Sequence, residues 1–83
     1  MEVRRTSKAI MEFLLETAIS TGKMRLSISG EDILKNLNER GISCPPELLK
    51  ICLGYMQGAG YATFGESSGV KITSAGIDFA EGN

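Results

Sequence analysis

Two cysteines, and no histidine, are all this chain offers toward nucleophile or soft-metal chemistry. Cys44 and Cys52 lie eight positions apart in a segment of largely helical pattern. At about 1.5 Å per residue their α-carbons stand roughly 12 Å apart, beyond the roughly 7 Å that an unstrained disulfide spans. Both are therefore expected as reduced thiols. A structural zinc site takes four nitrogen or sulfur ligands, which this sequence does not supply, so neither a metal nor a cofactor is expected. A thiol nucleophile is ordinarily activated by a histidine, and there is none. Cys44 still merits a reactivity test, because a helix start can lower a thiol pKa; Cys52 reads as core. The adjacent carboxylates Glu31 and Asp32 fit the first turn of a helix, where acidic groups meet the positive end of the dipole, better than they fit acid–base work. Gly58-Ala59-Gly60 has part of a dinucleotide-binding pattern, but it closes a helix and opens a strand, the reverse of the required order. The chain is expected to be a non-enzymatic binding module.

Binding chemistry then rests on the distribution of charge. A net charge of -1 and a pI near 5.3 argue against strong nucleic-acid affinity for the chain as a whole. The local balance differs: residues 1–25 hold Arg4, Arg5, Lys8, Lys23 and Arg25 against Glu2, Glu12 and Glu16, whereas residues 59–83 hold Lys71 against Glu66, Asp78 and Glu81. Positive potential gathers toward the N-terminal end. Arg4, Arg5 and Lys8 sit at a helix start, where cations oppose the dipole, so a compensating phosphate or carboxylate is expected there.

The elements that carry these residues can be placed from periodicity. Eighty-three residues, 42% hydrophobic and 23% charged, make one domain over residues 1–83 with a small core. No apolar run is long enough to span a bilayer, and a cytoplasmic protein is expected. Ile10, Met11, Leu14, Leu15, Ala18 and Ile19 share one face of a first helix over Thr6–Thr21, capped by Thr6 or Ser7 and ended by Gly22. Met24–Ile28 alternates as a short strand that could join a later ribbon. Ser29 caps a second helix with Asp32 in the reciprocal position; Ile33, Leu34 and Leu37 face inward, and Gly41 with Ile42 closes it.

Pro45 or Pro46 opens a third helix. Leu49, Cys52, Leu53 and Met56 form its buried stripe, with Glu47, Lys50, Ile51, Gly54 and Gln57 outward, and Gly58 or Gly60 ends it. A hairpin follows, Tyr61–Phe64 and Val70–Thr73, joined through Gly65–Gly69. Ser74 is expected to cap a short last helix containing Ile77, Phe79 and Ala80.

Two patterns give this order a likeness. Leu53-x-x-Met56-x-x-x-Gly60-Tyr61 resembles the end of a recognition helix and entry to a wing. Ile72-Thr73-x-x-Gly76-x-x-Phe79 resembles the wing exit and final helix of PadR-like and MarR-like regulators. Nearly the whole chain resembles a winged helix-turn-helix domain: α+β, a three-helix core with a β-hairpin wing, a short strand after the first helix and a short C-terminal helix.

The resemblance implies DNA binding in transcriptional regulation, as a homodimer on double-stranded DNA, with the third helix in the major groove. Lys50, Tyr55 and Gln57 would then read or flank bases, Lys71 would act from the wing, and Arg4, Arg5 and Lys8 would contact the backbone. The alternative is a protein-interaction module, because the fold alone does not select a partner. Ile51 beside Gly54 makes a flat surface that suits another protein. Close packing of the third helix on the first at Gly54 is a further reading of the same glycine, which costs about 1 kcal/mol against alanine inside a helix.

Overall fold

The structure is a computed structural model that describes residues 2–23, 27–65 and 69–82. Its elements are α1 (Val3–Thr21), α2 (Gly30–Glu39), α3 (Pro46–Gly58), β1 (Ala62–Phe64), β2 (Val70–Ile72) and α4 (Ser74–Ala80). The class is α+β, four helices with a two-stranded antiparallel hairpin.

α1 starts three residues before the expected cap. Thr6 and Ser7 do not end the helix but lie inside it, 4% and 0% exposed. Val3 packs against the core from the first turn, so helix continues outward until Glu2, whose carbonyl accepts from the Thr6 amide at 2.9 Å. The gain from burying that turn outweighs a side-chain cap, which is worth about 1 kcal/mol. At the other end Gly22 takes the left-handed conformation (φ 70°), as its position suggests, and the Lys23 amide closes on Ala18 O.

α2 begins at the expected cap, Ser29, whose Oγ accepts from the Asp32 amide at 3.2 Å, but the Asp32 carboxylate does not return the bond. It ends at Arg40 with Gly41 left-handed, and the Ile42 amide reaches back to Leu37 O at 2.9 Å. Arg40 also meets Glu16 of α1 at 2.7 Å, an ion pair at the rim of the helix–helix contact. α3 starts with Pro46 behind Pro45, two residues that have no amide hydrogens to leave unpaired.

Only Ser27 and Ile28 of the expected strand Met24–Ile28 are described. Met24–Leu26 lies outside the described residues, and Ile28 makes one antiparallel bridge to Val70, with backbone bonds of 3.0 and 2.8 Å. Among the described residues the sheet consists of β1 and β2. After the bridge the chain turns at once into α2, because Ser29 is committed to capping it. The hairpin register pairs Ala62 with Ile72, Thr63 with Lys71 and Phe64 with Val70.

α4 is capped one residue earlier than expected, by Thr73. Its hydroxyl accepts from the Gly76 amide at 3.1 Å and also donates to Gly60 O at 2.6 Å. Thr73 is extended (φ -107°, ψ 172°), a conformation that a β-branched residue favours, and Ser74 is therefore free to be the first helical residue.

Ile10, Met11 and Leu14 of α1 meet Ile33 and Leu37 of α2, Leu49, Cys52 and Met56 of α3, Val70 and Ile72 of β2, and Phe79 of α4 in one core. Leu34 and Leu53, expected inside, pack at its half-buried edge. None of the described helices is long and apolar enough to cross a membrane.

Gly76 is where α4 meets the start of the hairpin. An added Cβ there would collide with Tyr61 O and press on the Ile72 side chain. Gly76→Ala is expected to destabilise the fold by about 1–3 kcal/mol, read as a lower urea midpoint. An unchanged midpoint would show that the junction yields without cost.

Candidate binding face on the third helix

Successive residues of α3 turn by about 100°, so Leu49, Cys52 and Met56 point into the core while Glu47, Ile51, Gly54 and Gly58 look directly away from it. Ile51 is 44% exposed and Tyr55 36%. A Cβ built on Gly54 or Gly58 would meet nothing within 4 Å among the described residues. This overturns the reading in which Gly54 exists for close packing on α1. The glycines open a shallow channel to solvent, bordered by an isoleucine and a tyrosine.

One flank of this face is braced by aromatic contacts that sequence spacing does not reveal. Tyr55 meets Tyr61 edge to face at 6.2 Å between centroids. Tyr61 stacks on Phe79 at 4.5 Å, and the Arg4 guanidinium lies 5.8 Å from the Phe79 centroid on the α1 side. A cation and three rings thus link α1, α4, the hairpin entry and α3. Contacts of these kinds contribute roughly 0.5–1.5 kcal/mol each. They hold Tyr55 in place at the edge of the open face.

The basic residues at the start of α1 find the partners that their dipole-opposed position calls for. Arg5 Nη1 lies 3.3 Å from Glu2 Oε2, an exposed pair of small energetic weight. Arg4 rests on Phe79, and Arg4 and Lys8 line one hollow with Phe79 and Gly82, beside the C-terminal end of α4 where a cation is favoured. Of the residues proposed for DNA, Arg4 and Lys8 are brought together, and Tyr55 joins them through the rings. Lys50 and Gln57 lie on the opposite flank of α3, and Lys71 stands on the hairpin across from Thr63.

Sequence reading missed one feature that it could have found. From Ile51 through Gly65 the chain contains no charged residue. That stretch supplies most of the exposed side of α3 and all of β1, leaving Glu47 and Lys50 as the only charges on α3. A wider groove of about 490 Å³ runs between α1 and α2, lined by Phe13, Thr17, Asp32, Lys35, Asn36 and Glu39 among others, and Asn36 Oδ1 is buried there without a partner. Among the described residues no three His, Cys, Asp or Glu side chains are grouped to hold a metal.

Both thiols are free. Cys44 is not activated by its place at a helix start. Burial raises its pKa, and a nearby Cys52 thiolate would raise it further. Cys52 is fully buried with its Sγ 3.6 Å from Val3 O. Burial raises its pKa as well, more than the neighbouring Ser7 hydroxyl lowers it; that hydroxyl is buried without a hydrogen-bond partner of its own.

Thiols whose folded pKa is raised stabilise the fold while neutral. The contribution is full below the ordinary thiol value of about 8.5 and is lost as pH climbs through the folded values. Replacing both cysteines by alanine should therefore flatten the fall in urea midpoint between about pH 8 and pH 10. At about pH 7.5, iodoacetamide should modify Cys44 in the folded protein more slowly than in urea, and Cys52 more slowly still. Faster modification of Cys44 in the folded state would contradict this account.

No protein-family model, curated protein or solved structure significantly matches this chain.

Proposed function

We propose that this chain is a winged-helix-type binding module, without catalytic function, that acts by protein contact through the open face of α3. The order of helices, the hairpin after α3 and the Ile28–Val70 bridge beside it support the winged-helix reading. The observation that carries the functional reading is the uncharged run from Ile51 through Gly65, which gives α3 an apolar exposed strip of Ile51, Gly54, Tyr55 and Gly58. Duplex recognition takes its affinity from neutralised phosphates and its specificity from donors aimed at base edges. The middle of this face supplies no cation, and only the Tyr55 hydroxyl as a donor. A protein partner takes the reverse composition, an aromatic anchor and aliphatic surface with charge confined to the margin.

DNA binding keeps one observation in its favour, the gathering of Arg4, Arg5 and Lys8 at the start of α1. Yet Arg5 is engaged by Glu2 and Arg4 by Phe79, and Lys50 and Gln57 face away from them across α3.

The two readings separate in an amide NMR titration with a mixed-sequence duplex at about 50 mM and about 200 mM salt. The expected result is that residues 46–58 do not shift at either salt. Shifts at residues 4–8 and 46–57 that weaken as salt rises would overturn the protein-contact reading and establish DNA binding.

A further inference from the structure

We infer that residues 27–29 form a strap that ties the neck of the hairpin to the start of α2, so that displacement of either is carried to the other. Three consecutive residues each hold a different part of the fold. Ser27 Oγ stands where a Cβ on Gly69 would be, and Ser27 Cβ lies 2.8 Å from that position. The same oxygen comes within 3.3 Å of a Cβ built on Gly65. Those two glycines close the neck, the Gly65 amide donating to Gly69 O at 2.7 Å. Ile28 shares both of its backbone bonds with Val70 and buries its side chain in the core. Ser29 accepts from the Asp32 amide through its hydroxyl and from the Ile33 amide through its carbonyl, the latter at 3.1 Å.

The coupling follows from how closely these attachments succeed one another. No residue stands between them to absorb a shift. A neck that moves outward draws Ser27 with it, and the rigid peptide planes pass that motion to the Val70 bridge and then to the cap of α2. Gly69 brings the neck this close, because a side chain there would have to displace Ser27. The grip is shallow, since Ser27 and Ser29 are exposed and only Ile28 is buried. Such segments open locally at lower cost than the core.

Ser27 and Ile28 also form part of one wall of the groove between α1 and α2, so the shape of that groove follows the position of the strap. The hairpin neck and the groove thus share a wall that has two arrangements, seated against Gly65 and Gly69 or lifted from them. An element of this kind, biased from both sides, is what coupling between two places on a fold requires.

Native-state amide exchange reads the coupling directly. Gly69→Ala is expected to speed exchange of the Ile28 and Val70 amides at the neck and of the Asp32 and Ile33 amides in α2 by a common factor. That factor should be at least about tenfold beyond any change at Met11 and Met56 in the core. Ser27→Gly removes the atoms that the new methyl group meets, so combining it with Gly69→Ala should cancel the increase. Ser29→Ala approaches from the other side and decides the question where Gly69→Ala does not fold. It should speed the Val70 amide roughly threefold beyond Met11 and Met56, although the Ser29 hydroxyl bonds within α2. Faster exchange at the neck with α2 unchanged, an equal change at all of these amides, no rescue by Ser27→Gly, or an unchanged Val70 in Ser29→Ala would each overturn the inference.

Discussion

The structure turns on the joint between the end of α3 and the start of α4. Gly60 carries the chain out of α3 in the left-handed conformation (φ 81°), and its carbonyl accepts from the Thr73 hydroxyl. The Thr73 amide donates to Tyr61 O at 3.1 Å, and Gly76 lets α4 lie directly against that carbonyl. Two glycines and one threonine thus fix where the hairpin leaves and returns. From this close approach follow the Tyr61–Phe79 stack, the seating of Arg4 on Phe79 and the bracing of Tyr55. Strain at the joint would propagate to each of them, because a close-packed junction cannot absorb an extra methyl group.

The same joint determines what α3 can offer. With its inner stripe committed to α1, α2 and the hairpin, the opposite stripe is left without cover, and the residues there set its chemistry. Cations at the start of α1 look at first like a phosphate site. Glu2, the Phe79 ring and the end of α4 meet them from within the chain, which lowers the gain that an external anion could bring. Each of these internal contacts is individually weak, on the order of 1 kcal/mol or less. Their effect lies more in where they hold Arg4 and Lys8, beside α4, than in stability.

Features governed by neighbours along the chain are legible in the sequence. Gly22 and Gly41 end helices because each must be left-handed, Ser29 caps because its oxygen reaches the Asp32 amide, and Pro46 opens α3 because it has no N–H to lose. Periodicity also identifies Ile51 and Gly54 as outward. Features governed by tertiary contact are not legible there. Thr6 and Ser7 are good caps by type, but both are buried inside α1, which runs on past them to Val3. Thr73 and Ser74 are adjacent hydroxyls, and only the distant Gly60 carbonyl distinguishes them. A helix start can lower a thiol pKa, whereas burial raises that of Cys44. The ladder from Tyr55 to Arg4 joins residues from four segments and leaves no periodic trace.

The central claim is that the stripe of α3 opposite the core lies open as a contact face. The most direct measurement is amide relaxation caused by a soluble gadolinium chelate, recorded at about 20 µM protein. The account predicts that residues 51, 54, 55 and 58 are broadened as strongly as the exposed residues of α2, while residues 49, 52 and 56 are protected. Protection of the α3 stripe to the level of those core positions would contradict it.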